Sequence, residues 1–370
     1  MSKVNPPFRA DQVGSLMRPR AVLQARQDAA TGQISAAELR QIEDEHIAVA
    51  VKKQEAVGLH GITDGEFRRA FFHLDFLEQL AGVTVTGTIA ASSDAQETVG
   101  FTPPKLSVTG KLHHVKNIQV DDFNFLKSQV TQTPKVAIPS PTMVHFRGGR
   151  AAIDIESYPD MDQFFEDLAQ CYRDEIGALY AAGCRYIQMD DTNLAYLCDP
   201  KMRQGAIERG DDPNELPRTY AELINAVIDN RPDDLTVCVH LCRGNFRSTW
   251  FAEGSYEPVA EVLFNELNVD GYFLEYDDAR SGGFEPLRFV PDNKTVVLGL
   301  VSTKIPQLEA QSELIARIED AAQYVPLDHL CLSPQCGFSS TLHGNEITED
   351  DQWRKLELVV NTAQQVWGAS

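Results

Sequence analysis

The chain has 370 residues, 43% of them hydrophobic and 24% charged, which is enough to bury the core of an ordinary globular enzyme. Lysine and arginine number 33 against 54 acidic residues, and the resulting charge of −21 argues against nucleic acid or an anionic membrane as partner. Seven cysteines, an odd number, do not suit a disulfide framework. With no apolar leader and no run of about 18 apolar residues, we expect a cytoplasmic protein whose thiols stay free for a metal.

Residues 8–15 (FRADQVGS) read as a first strand and turn, with Gly14–Ser15 able to bring backbone close to a ligand. Residues 20–28 are helical. Residues 35–57 form a stronger helix, opened by a Ser35/Glu38 capping box and closed by Gly58 and Gly61. The ITDGE stretch at 62–66 is a strand end carrying two carboxylates beside Arg68 and Arg69. From 81 to 120 the rhythm breaks into alternating Val/Thr, then SSDAQET, then Pro103–Pro104. This predicts a β-rich insertion after strand two, a hairpin or a lid over the site.

Residues 134–143 are the third strand and its polar exit, and Met161–Ala182 is a helix. Residues 184–189 are the fourth strand, with Asp190 and Asp191 at its end. The fifth strand covers 235–239. The sixth, 269–274, delivers Glu275 beside Asp277, Asp278 and Arg280, which read as a salt-bridge network. The seventh, Thr295–Val301, runs into Ser302–Thr303–Lys304. The eighth, 329–332, runs into SPQCG, and a helix is predicted over 307–324 with Pro306 at its start. Eight strands alternating with helices predict an α/β fold, a (β/α)8 TIM barrel, with residues 1–370 as one catalytic domain.

In VCVHLCRGN (237–245), strand alternation turns His240 and Cys242 to one face. Two buried small residues at a strand end would give the same pattern. Glu275 and Cys336 also follow apolar strand segments, and in a barrel such ends share one rim, whereas a doubly wound sheet would spread them. Two thiolates, an imidazole and a carboxylate suit tetrahedral zinc. Glu275 as a surface acid and Cys336 as a loop cysteine are the plainer alternatives.

These residues carry a resemblance. HLC after strand five, FLE ending strand six and SPQCG after strand eight, with VGS, DGE and IQMDD earlier, resemble the catalytic barrel of cobalamin-independent methionine synthase, in its short single-barrel form. The resemblance implies zinc held by His240, Cys242, Glu275 and Cys336. It also implies homocysteine as the thiol, with its amino-acid end near Ser15, Glu66 and Asp190. Carboxylates would meet the ammonium group, and N–H groups of Val13–Gly14–Ser15 the carboxylate. A salt bridge to Arg68 or Arg69 is the competing reading of Glu66. The implied chemistry is S-methylation: zinc holds the thiol, ordinarily of pKa about 8.5, as a nucleophilic thiolate. Glu275, the hardest ligand, is the one expected to yield to it.

The long enzymes of that family carry a histidine after strand seven, where this chain reads VSTKIP. Lys304 and His145 are therefore the candidates for a donor-side group or general acid, with His73 a second histidine near the pocket. Candidate methyl donors are folate, methylcobalamin or another carrier, with delivery by a corrinoid protein partner as one route; a homo-oligomer is compatible with the chain. The alternative function is alkyl transfer to another thiol, such as epoxide opening by coenzyme M, whose sulfonate would call on Arg18, Arg68 or Arg243. A decarboxylase on the same barrel needs no such ligands, and a purely structural zinc needs no gathering at the rim.

Overall fold

The computed structural model describes residues 5–86 and 104–368. In chain order the strands are β1 (Gly61–Ile62), β2 (Ala81–Thr86), β3 (Lys105–His113), β4 (Thr133–Pro134), β5 (Val136–Pro139), β6 (Tyr186–Asp191), β7 (Thr236–Leu241), β8 (Gly271–Glu275), β9 (Thr295–Val301) and β10 (Leu330–Pro334). β5 to β10 form one parallel sheet in sequence order, and β4, just before β5, pairs in parallel with β1. On the other edge Ala10 bridges Leu332, with Asp11 N donating to Leu332 O at 3.0 Å and Leu332 N to Arg9 O at 2.9 Å. Thr63 Oγ1 to Gly14 O (2.7 Å) and Leu16 N to Gly65 O (3.0 Å) tie the last gap. The ring so closed is a (β/α)8 barrel.

The predicted first strand is reduced to that single bridge. Its polar side chains do the joining that a longer ladder would do: Gln12 Nε2 donates to Gln54 Oε1 at 2.5 Å and reaches Gly61 O at 3.4 Å. The third strand ends at Pro139 and its polar exit follows at once, because Pro141 opens a 3-10 turn over Pro141–Val144.

Period-two alternation sorts the core into two layers. Val237 and Val239 face the helices, while Cys238 joins Phe8, Tyr186, Phe273, Val297 and Cys331 inside the barrel. That interior also holds an ion pair, Lys135 Nζ to Asp11 Oδ1 at 3.0 Å with both side chains fully buried. Tyr186 OH donates to Asp11 Oδ2 at 2.7 Å, and the Phe273 ring lies 4.1 Å from Lys135 Nζ. Lys135→Met leaves the Asp11 carboxylate buried without its cation. We expect a loss of about 3–5 kcal/mol in unfolding free energy, read from the denaturant midpoint at unchanged slope.

The helices follow their end signals. Ser35 and Glu38 close the capping box, and left-handed Gly58 (φ 102°) stops Ala36–Val57. The helix predicted over 307–324 is shorter, Gln311–Ala321. Glu309 accepts from Ser302 N at 2.7 Å and from Lys355 Nζ at 3.2 Å, which holds the preceding residues outside the helix. β2 and β3 pair antiparallel, so the insertion begins and ends as a ribbon, and β3 packs on the Met161–Ala182 helix. Its β structure stops at His113, short of 120, and residues 87–103, where a lid would lie, are outside the described residues. Among the described residues no helix is long and apolar enough to cross a membrane.

Candidate active site

β7 carries the first part of the site to the barrel mouth. Its register sets His240 opposite Asp190 of β6 and Phe273 of β8. Glu275 ends β8. The β9–β10 register shifts between Ser333 and Pro334, and this irregularity bends the chain on its way to Cys336. Gly299 permits the close approach there: a Cβ would meet Gln335 Cα and Leu274 O at 2.7 Å.

One donor atom from each of His240, Cys242, Glu275 and Cys336 lies within 4.8 Å of the others, and all four residues are buried. The two sulfurs are 3.5 Å apart, and Gly244 N donates to Cys242 Sγ at 3.3 Å. Glu275 Oε1 accepts from Arg243 N at 3.0 Å and Oε2 from Arg280 Nη2 at 3.2 Å. The Arg280 network with Asp277 (2.7 Å) and Asp278 therefore reaches into the cluster, a link that no spacing in the sequence signals. Neither ring nitrogen of His240 has an oxygen or nitrogen partner.

Protons compete within this cluster. The hydrogen bond from Cys242, helped by His240, holds the Cys336 thiol well below its usual range, and the same bond with burial pushes Cys242 well above. Burial raises Glu275. A divalent cation would displace these protons, since metal ligands bind deprotonated. The donor set, its seclusion from water and the orphaned His240 nitrogens fit zinc.

A pair of carboxylates stands nearby. Glu66 follows Gly65 with φ at 59°, a left-handed conformation uncommon for a residue with a Cβ. Its Oε1 lies against Gly14, 3.2 Å from where a Cβ would sit. Its Oε2 has no hydrogen-bond partner, with Arg69 Nη1 3.8 Å away. Arg68 turns instead to Asp44 and Asp122. Burial pushes Glu66 up to about 8, with Asp190 adding to the rise. Burial raises Asp190 to about 6. Ser15 Oγ accepts from Ser339 N at 3.3 Å and packs so tightly on Gly337 that a Cβ there would fall 1.9 Å from it. No N–H of Val13, Gly14 or Ser15 bonds a protein acceptor among the described residues.

Arg18, which carries no local signal, organises these loops. It donates to Glu66 O, Arg69 O, Ser339 O, Ser339 Oγ and Thr341 O at 2.7–3.1 Å.

A cavity beside Cys242 is lined by Phe72, His73, Arg147, Tyr196, Phe246 and Phe251, among others. His145 and Lys304, expected on the donor side, do not line it. His145 turns into the wall, with Nδ1 3.0 Å from Tyr220 OH and its ring 5.5 Å from that of Phe165, because aromatic packing behind β5 takes it. Lys304 Nζ donates to Gly244 O (3.3 Å), Asn245 Oδ1 (3.2 Å) and Thr249 O (3.4 Å), so its charge locks the loop after β7. Of the histidines weighed for the pocket, His73 is the one at the cavity.

A barrel with acid, imidazole and thiol side chains gathered at its mouth is the frame of a group-transfer enzyme. The chain belongs to the cobalamin-independent methionine synthase family and is a methyltransferase: the family model described as "Cobalamin-independent synthase, Catalytic domain" matches residues 8–365. It is 47% identical to the uncharacterized protein YxjH of Bacillus subtilis, over 98% of this chain and 95% of that one. It is 24% identical to the methionine synthase of Pyrococcus horikoshii, over 88% and 84%. A Listeria monocytogenes protein assigned as a vitamin-B12 independent methionine synthase has a solved structure that superposes with a TM-score of 0.79 at 39% identity, over 99% of both chains.

Proposed function

We propose that this protein is a cytoplasmic, zinc-dependent enzyme that methylates the sulfur of homocysteine to give methionine. The observation that carries the reading is the gathering of His240, Cys242, Glu275 and Cys336 within 4.8 Å at the barrel mouth. The Glu66/Asp190 carboxylates complete it. Zinc, when bound, supplies the Lewis acidity that keeps a thiol ionised at neutral pH.

The chain's own residues set the geometry around that thiol. Glu66 and Asp190, both buried, receive the α-ammonium, and the N–H groups of Val13–Gly14–Ser15 receive the α-carboxylate. Arg280 and the Arg243 N–H hold Glu275 by both oxygens and would balance its charge beside a bound metal. Burial of the cluster excludes the water that would otherwise solvate and blunt a sulfur nucleophile.

Epoxide opening by coenzyme M draws less support. Arg18 is committed to carbonyl and hydroxyl oxygens, and Arg68 to Asp44 and Asp122. Arg243 is fully buried with its Cζ 4.3 Å from the Tyr256 ring centroid. A sulfonate would find Arg18 and Arg68 engaged, and would reach the unpartnered Arg243 guanidinium only by entering the wall that buries it. The test incubates zinc-loaded protein with homocysteine, and separately with coenzyme M, against a panel of methyl donors and epoxides. Methionine should form from homocysteine; turnover of coenzyme M alone would overturn the assignment.

A further inference from the structure

The cavity beside Cys242 bears on the chemical class of the methyl donor, an inference that rests on the methyl-transfer reading. Of the four candidate ligands only Cys242 lines it, so it is a space next to the reacting sulfur and separate from the Glu66/Asp190 end. Phe71, Phe72, Phe246, Phe251 and Tyr196 make it aromatic, and no carboxylate lines it. Its one charged wall residue is Arg147, which has no ion-pair or hydrogen-bond partner among the described residues.

The cavity also lacks a competent acid. Burial, reinforced by Arg147, holds His73 well below 6.5, so its imidazole is neutral. Burial raises the Tyr196 phenol to about 12. Lys304 is tied to Gly244, Asn245 and Thr249. A methyl group on an ordinary amine needs its nitrogen protonated before it can leave. A methyl group on a sulfonium or quaternary ammonium does not. Aromatic faces attract such onium groups, but Arg147 would repel a bare cation, so the donor must also bring an anion. The cavity is small, about 50 Å³.

We propose that the methyl donor is a compact onium carboxylate, a methylsulfonium or quaternary methylammonium whose carboxylate pairs with Arg147 and whose onium methyl lies among the phenyl rings beside Cys242. In the transfer the homocysteine sulfur forms a bond to the methyl carbon as the onium C–S or C–N bond breaks. The electron pair of the broken bond stays with the departing heteroatom, which leaves as a neutral thioether or tertiary amine. The only proton released is the one the thiol lost on ionising. Opposite charges cancel along this path, which a poorly hydrated, aromatic cavity favours.

The experiment uses the zinc-loaded protein with homocysteine and four donors: dimethylsulfonioacetate, trimethylammonioacetate, trimethylsulfonium and methyltetrahydrofolate. Methionine should form from at least one onium carboxylate, with kcat/KM about tenfold or more above that of trimethylsulfonium, which lacks the carboxylate. Arg147→Gln should abolish that advantage without changing the KM for homocysteine, and Arg147→Lys should restore part of it. Methionine from methyltetrahydrofolate but from neither onium carboxylate would overturn the proposal, as would an equal effect of Arg147→Gln on both sulfonium donors. Calorimetric titration of trimethylammonioacetate into wild type and Arg147→Gln separates the two readings. Arg147-dependent binding with no methylation by any donor would leave the donor site standing and remove the proposed function; absence of that binding removes the donor site.

Discussion

Replacing Cys336 by serine should empty the metal centre. Zinc content is expected to fall from about one to below about 0.1 per chain, and homocysteine methylation by at least about a thousandfold. A serine hydroxyl does not ionise at neutral pH, so the variant loses the group best suited to an anionic ligand role, the thiol that the hydrogen bond from Cys242, helped by His240, holds well below its usual range. Cys242→Ser should act in the same direction. Cys331→Ser is the internal control: that thiol lies in β10 facing the barrel interior, and its Sγ is 3.8 Å from Pro7 O. Emission spectroscopy of the purified proteins reads the metal directly. Full zinc in Cys336→Ser, or loss in Cys331→Ser alone, would remove the centre from this place.

The second large effect concerns Glu66 and reads out as pH dependence. A carboxyl held at about 8 must give up its proton before it can meet an ammonium group. Methionine has no thiol to titrate, which leaves Glu66, and Asp190 at the low end of the range, to set the profile. Its affinity should rise between about pH 6 and about pH 8, by up to about tenfold per unit. Glu66→Gln should flatten the profile and weaken binding at pH 8 by at least about 30-fold. The substrate-free protein should show the opposite trend. Because the folded value lies above the ordinary 4.5, this carboxyl favours the fold at low pH, and that contribution is lost as pH rises to about 8. Glu66→Gln should therefore flatten the fall in melting temperature over the same range. A wild-type affinity for methionine that is level from pH 6 to 8 would contradict the role.

The strand exits were legible because polar residues after apolar runs are local. His240 and Cys242 two apart, Glu275 after FL and Cys336 in SPQCG could be placed on one rim before any contact was known. Other features depend on partners far along the chain. His145 and His73 each sit beside aromatics in the sequence, and only tertiary packing sends one into the wall and the other to the cavity. Lys304 follows a strand as a donor-side residue would, yet a loop 55–60 positions upstream claims its ammonium group. The 307–324 helix looked longer because nothing local reveals that Glu309 serves Ser302 and Lys355. Arg280 is legible as part of a salt-bridge network with Asp277 and Asp278, but its hold on Glu275 appears only in the folded chain.

Arg18 has a consequence for substrate length. Its contacts fasten the turn bearing Glu66 to the segment just after Cys336. On the proposed reading, the two ends of an amino-acid thiol would be gripped at stations whose spacing the guanidinium presets, like the jaws of a fixed gauge. Cysteine, one methylene shorter, can seat its ammonium or its sulfur but not both. A discrimination of about 10- to 200-fold in kcat/KM follows from the gauge, with no group in contact with the missing methylene.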